Sequence, residues 1–245
     1  MFEDLKPHIA DLRKALSISA ISVFVLFFVC FGFNEIILDF MIQPLVSSLP
    51  EKSTVIFTKV QEPFFTAIKV SFFTGFLLAL PIIFWQIWVF IAPALYANEK
   101  KFILPFVLFA TTMFLFGAGF SYYVVVPIGL EFLINFGSAL FSAMPSIGEY
   151  VGFFTKLVFG FGIAFELPVI TLFLTKIGLI NGDMLRSFFK FAVVIIFILS
   201  AILTPPDMVT QFLMAVPMVI LYGFSILIAD YFEDKETNNE STNKD

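Results

Sequence analysis

The chain has 245 residues, of which 60% are hydrophobic and 13% charged, with 37 Phe and a formal net charge of -5. A mean hydropathy of +0.99 excludes a water-soluble domain and fits an integral membrane protein. Most of the net negative charge comes from the final stretch "DYFEDKETNNESTNKD", so a net acidic charge is not a property of the apolar body.

Crossing a hydrocarbon core of about 30 Å takes roughly 20 helical residues, and uncharged runs of that order recur along the chain. They are continuous rather than alternating, so they read as helices and not barrel strands. The expected fold class is all-α: a polytopic membrane protein with six transmembrane helices. The first, Leu16 to Leu38, follows a charged segment and lacks a small-residue cleavage pattern, so it is expected to be a retained helix and not a removed signal. Cys30 lies within it and reads as a small buried hydrophobe. The following stretch, "NEIILDFMIQPLVSSLP", is apolar but broken by Pro, and reads as a cap in the membrane interface. Val70 to Ala92 and Phe102 to Val126 form the second and third spans. "PIGLEFLINFGSALFSAMPSIGEY" follows as a second interfacial cap before the fourth span, Gly152 to Thr175.

The last two spans, Phe191 to Thr204 and Val209 to Ile228, are short. The fifth is hemmed between Lys190 and the pair Pro205 and Pro206, which leaves 14 residues, about 21 Å at the helical rise. A locally thinned bilayer or a shielded turn would accommodate it. Residues 1–231 are expected to form the membrane domain, and 232–245 a disordered polar tail, because so little apolar surface is available there.

Orientation follows from the cations. Lys6, Arg13, Lys14, Lys100, Lys101, Lys176, Arg186, Lys190, Lys235 and Lys244 all fall on one side of a six-span arrangement. Lys52, Lys59 and Lys69 fall on the other. The richer side is expected to be cytoplasmic, with both termini there. No internal repeat is visible, which disfavours an inverted-repeat transporter.

The chemistry rests on few residues. There is no Ser, His and Asp set, no Gly-rich phosphate loop, and His8 has no Cys or His companion at metal-ligand spacing, so neither a cofactor nor a metal is expected. Glu166, inside "FGFGIAFELPVI", is the conspicuous carboxylate. An acid at the centre of a membrane helix costs about 2.5 to 3.5 kcal/mol on insertion scales. It is either satisfied within the bundle or faces a hydrated cavity used in function. Lys156, ten residues back and about 15 Å away along a helix, is a poor partner for it. "LTPPDMVTQ" places Thr204, Asp207 and Gln211 at the turn between the last two spans. Polar groups at such depth favour association with another polar helix surface, although an ordinary interfacial turn has the same composition. By composition alone, "HIADLRKAL" and "FIAPALYANEKK" are solvated charge flanking spans.

Read in order, "HIADLRKAL", "EPFFTAIKVSFF", "FWQIWVFIAPALY" with "ANEKK", "GFGIAFELPVI" and "TPPDMVTQFLMAVPM" resemble the TatC family, the multispanning receptor subunit of the twin-arginine protein translocase. The resemblance runs from about Leu5 to Tyr231. It implies a glove-shaped six-helix bundle in a bacterial-type inner membrane. This bundle would read signal peptides with paired arginines, an address rather than an anchor, and export folded proteins with the proton-motive force. It implies a signal site of Asp11 and Glu99, with Arg13 positioning the acids and Phe90, Pro93 and Tyr96 shaping the loop. Two placed carboxylates suit that task, because a guanidinium fork is accepted bidentately whereas lysine offers a point charge. Asp11 stands where the family most often has Glu, which leaves open whether it reaches the signal directly or through water.

The resemblance further implies that Glu166 lies on the concave side, contacting partner helices or hydrating the cavity. Thr204, Asp207 and Gln211 would lie where single-span subunits of the TatA and TatB type dock. Self-association in a larger complex, contact with the lipid bilayer, no nucleic acid and no cofactor complete the expectation. Two other readings compete: a proton-coupled small-molecule carrier using Glu166 as relay, and an intramembrane hydrolase, for which no nucleophile and base are present.

Overall fold

The computed structural model describes residues 2–50, 53–91, 103–136 and 142–242. The elements among them are α1 (Phe2–Gly32), α2 (Asn34–Ser48), α3 (Glu62–Ile91), α4 (Ile103–Phe120), a π-helical turn (Ser121–Val125), α5 (Val126–Asn135), α6 (Ile147–Lys176), α7 (Gly182–Leu203) and α8 (Met208–Thr242). The only extended pairing among the described residues is one parallel bridge between Ile56 and Ser146. Six stretches are long and apolar enough to cross a membrane: Ile9–Gly32, Glu62–Ile91, Leu104–Asn135, Ile147–Lys176, Gly182–Leu203 and Met208–Glu233.

The spans agree with the sequence reading in number and order, but the helices extend further. α1 starts at Phe2 because Leu, Arg, Lys and Ala around Asp11 are good helix formers, so helicity continues outward from the apolar run. The first outer stretch is itself a helix, α2, set off from α1 at Phe33, where Asn34 Nδ2 donates to the Phe31 carbonyl at 2.6 Å. α2 buries Met41, Pro44 and Leu45 and leaves Ile36, Phe40 and Val46 exposed, one apolar face in and one out.

The sequence ends the third span just before Pro127, yet the helix continues to Asn135. A proline removes one backbone donor and clashes with the carbonyl four residues back. Here the five-residue π turn directly before it widens the ladder and absorbs the misfit. α7 begins at Gly182, nine residues before Phe191, because Asn181 caps it: its side chain accepts from the Met184 N–H at 2.8 Å. The first turns of α7 carry Asp183, Arg186 and Lys190, so the uncharged part of this helix is still the short one.

The chain forms two compact units, residues 1–112 with 140–152, and 113–139 with 153–245. In the first unit α1 lies along α3. At Gly75 their backbones approach closely: a Cβ there would stand 2.8 Å from the Phe27 amide nitrogen. Small residues at such crossings let helix backbones pack where lipid offers no hydrophobic drive to association.

A clip closes the same unit away from that crossing. Glu62 opens α3 and accepts from the Thr58 N–H at 2.7 Å, the Thr58 hydroxyl at 3.0 Å and the Lys59 N–H at 3.2 Å. Its other oxygen accepts from the Gly148 N–H at 2.7 Å and from the Ser146 hydroxyl. The bridge beside it is made by Ile56 N–H to Pro145 at 3.1 Å and Ile147 N–H to Ile56 at 2.9 Å. Tyr150 donates its hydroxyl to the Met41 carbonyl at 2.6 Å. One carboxylate thus ties residues 58–62 to 146–148.

In the second unit, α6 packs on the end of α4 through aromatic rings: Phe120 touches Phe161 and Phe165 at centroid separations of 5.5 and 5.7 Å. α6 ends in a Schellman turn, with Gly178 at φ 72° and the Leu179 N–H reaching back to Leu174 at 2.9 Å. α7 pairs with α8. Arg186 bridges Asp183 at 3.0 Å and also pairs with Asp230, while the Tyr222 hydroxyl donates to the Leu185 carbonyl at 3.0 Å.

Two glycines separate packing from propensity. Gly75→Ala is expected to destabilise the protein by about 1 to 3 kcal/mol, because backbone must move. Gly119→Ala, with nothing within 4 Å of the added carbon, should be neutral or stabilising by up to about 1 kcal/mol. Thermal unfolding of the two variants in one detergent checks the contrast.

Candidate functional site

Asp11 and Arg13 lie on α1, both exposed, at the start of the first span. No hydrogen bond or ion pair engages either among the described residues. Phe90 is the penultimate residue of α3 and 37% exposed. Consecutive crossings run in opposite directions, so depth along the α1 and α3 pair can be counted from the Gly75 contact with Phe27. Asp11 is 16 residues back from Phe27, about 24 Å, and Phe90 is 15 residues on from Gly75, about 22 Å. The acid, the cation and the aromatic ring therefore share one end of a single helix pair. Pro93, Tyr96 and Glu99 follow α3 in the sequence but lie outside the described residues.

Glu166 lies in α6 and is 7% exposed. Its Oε1 is buried and has no hydrogen-bond partner among the described residues. The adjacent Phe165 packs its ring against Phe116 and Phe120. Two hydroxyls share its condition: Ser121 Oγ on the π turn and Thr175 Oγ1, both buried and unpartnered. Neither stands out in the sequence. A lone Ser or Thr inside an apolar run is a weak signal, because its hydroxyl ordinarily bonds back to the preceding turn, as Ser71 does to Ala67 at 2.7 Å.

Thr204, Asp207 and Gln211 are brought together at the turn between α7 and α8. Each has a partner within the chain. The buried Thr204 hydroxyl donates to the Ser200 carbonyl at 2.8 Å. Asp207 is the N-cap of α8, accepting from the Thr210 N–H at 2.8 Å and its hydroxyl at 2.5 Å. Gln211 Nε2 donates across to the Phe197 carbonyl of α7 at 3.1 Å. The turn is thereby fixed, and what it leaves for another molecule is Asp207's and Gln211's remaining acceptor and donor capacity on a half-buried surface. α6 approaches this corner at Gly160, where a Cβ would meet Leu203 and Met214 side chains. Glu166 is six residues further along α6, about 9 Å. Among the described residues, no group of three His, Cys, Asp or Glu could hold a metal.

Comparison with known proteins places the arrangement. The family model for TatC, Sec-independent protein translocase protein, matches residues 7–217. The Sec-independent protein translocase protein TatC of Campylobacter jejuni is 52% identical over 98% of this chain and 99% of that protein. Its counterpart in Helicobacter pylori strain 26695 is 50% identical over 98% and 93%. A crystal structure of the twin-arginine translocase receptor TatC superposes with a TM-score of 0.84 at 39% identity, covering 91% of this chain and 97% of that one.

Asp207→Ala is expected to cost about 1 kcal/mol of stability through loss of the α8 cap, whereas Asp207→Asn, which still accepts from Thr210, should cost a few tenths. Thermal unfolding midpoints of the two variants, compared in the same micelle, test whether the side chain works as a cap.

Proposed function

The chain belongs to the TatC family of Sec-independent protein translocase proteins, a transport family rather than an enzyme family, and on that premise we propose that it is the signal-recognising core of a twin-arginine translocase. It reads paired arginines at the end of the α1 and α3 pair that carries Asp11, Arg13 and Phe90, together with Pro93 and Glu99. That end faces the cytoplasm of a bacterial-type inner membrane, as do both termini. The observation that carries this reading is the common depth of Asp11 and Phe90 on two helices locked at Gly75. Such a frame holds an exposed carboxylate at a fixed distance from the segment that leads to Glu99. Rigid elements keep a recognition geometry within the tolerance that bidentate guanidinium binding demands.

Assembly is the second part of the reading. Single-span subunits of the TatA and TatB type dock on α7 and α8 near Thr204, Asp207 and Gln211, and on the face of α6 that carries Glu166. A buried carboxyl with an unpartnered oxygen is poorly satisfied in the isolated chain, so a polar side chain from another helix lowers its cost. Passage of folded substrates follows this assembly and draws on the proton-motive force. Membership of a protein-transport family sets aside a small-molecule carrier and a hydrolase.

Binding of a twin-arginine signal peptide and of its twin-lysine counterpart to the purified chain in nanodiscs decides the matter. A preference for arginine of about tenfold or more is expected, matching one charge-assisted hydrogen-bond pair. Glu99→Gln should abolish it and Asp11→Asn should weaken it. Equal affinities for both peptides, indifferent to Glu99→Gln, would remove the carboxylate site from the reading.

A further inference from the structure

Beside the Glu62 clip lies a cavity of about 300 Å3, lined by Lys59, Gln61, Glu62, Phe65, Lys69 and Glu149 with parts of Thr58, Thr66, Ser146 and Gly148. Glu62 is already saturated by donors from Thr58, Lys59, Ser146 and Gly148, so its charge is not open to a ligand. What the cavity still offers is two ammonium groups, Lys59 and Lys69, the Gln61 amide, and the Glu149 carboxylate. None of these four side chains has a hydrogen bond or ion pair among the described residues.

Depth narrows the ligand. From Val70 to Ile91 α3 carries no charge for 22 residues, about 33 Å, which fills a hydrocarbon core of about 30 Å. Lys69 therefore stands at the edge of the hydrocarbon, where lysine ends extend toward the headgroups, and the cavity opens just outside it. Phe65, which lines the cavity, and the adjacent Phe64 expose their rings, 54% and 59% accessible, as aromatic residues do at membrane interfaces.

We propose that this cavity binds the headgroup of an ethanolamine phospholipid. Its phosphodiester accepts from Lys59, Lys69 and Gln61, and its ammonium donates to Glu149, so each charge of the headgroup meets its opposite. A purely anionic headgroup would satisfy the lysines and leave Glu149 facing the phosphate without a cation. A volume at the lower end of ligand pockets suits a headgroup and excludes a large solute. This site depends only on α3 crossing the membrane, and stands or falls independently of signal recognition.

Native mass spectrometry of the full chain, titrated separately with phosphatidylethanolamine and phosphatidylglycerol, tests the assignment. The wild-type chain should retain phosphatidylethanolamine preferentially. K59Q/K69Q should lower that retention by about thirtyfold, at roughly 1 kcal/mol for each of the two lysines. K190Q, which removes a lysine that does not line the cavity, should leave it unchanged. E149Q should equalise the two lipids while both still bind. Thermal unfolding in detergent confirms that each variant is folded, and K59R/K69R should restore retention. Retention that K59Q/K69Q leaves intact, or a wild-type preference for phosphatidylglycerol, overturns the proposal. Displacement of the bound lipid by millimolar O-phosphoethanolamine overturns the lipid source and assigns the cavity to a soluble phosphate ester instead.

Discussion

An amide or carbonyl left bare in hydrocarbon costs several kcal/mol, and the architecture of this chain is largely a set of answers to that constraint. Thirteen prolines each remove a backbone donor, yet Pro44, Pro81, Pro168 and Pro217 sit inside helices. Continuity past Pro127 is kept by a π turn. Hydroxyls follow the same rule by bonding to their own helix: Ser22 to Ile18, Thr111 to Val107, Thr112 to Leu108 and Ser225 to Leu221, all within 3.0 Å. Against so consistent a background Glu166, Ser121 and Thr175 are conspicuous, because each leaves a buried polar atom unanswered.

The two ends of unit one are built differently from the same material. At one end Asp11, Arg13 and Phe90 lie on helices that come into backbone contact at Gly75. At the other, hydrogen bonds to a single carboxylate arrange irregular chain that has no ladder of its own. Proposed recognition on the first and proposed lipid contact on the second both take their geometry from α3, which carries Gly75, Phe90, Glu62 and Lys69 within one rod.

Hydropathy makes the six spans legible, because a run of Phe, Val, Ile and Leu has few alternatives to a membrane helix. Helix ends are harder. α3 begins eight residues before Val70, and the Glu62 and Pro63 pair that starts it is a helix-start signature that an apolar-run reading passes over. The persistence of the helix past Pro127 depends on the ladder register of the π turn before it, which local composition does not encode. For the site, the polarity of Thr204, Asp207 and Gln211 is visible in the sequence, while their partners Ser200, Thr210 and Phe197 are not. Asp11 and Glu99 come from motif resemblance, since a charge beside a span is otherwise ordinary. Nothing local links Glu62 to Ser146, 84 residues away, and only the folded chain reveals that pairing.

That separation also sets a clock. A ribosome adding roughly 5 to 20 residues per second needs on the order of 4 to 17 seconds to travel the 86 residues from Glu62 to Gly148. Once synthesis has passed Ile91, the end of α3, α1, α2 and α3 can already be in the bilayer, yet the donors that saturate one side of the Glu62 carboxylate have not been made. A nascent chain halted in this window would carry an open, unsatisfied end on its first hairpin. Completion of that hairpin therefore coincides with delivery of the fourth span, which ties the maturation of one unit to the insertion of a helix, α6, whose greater part belongs to the other.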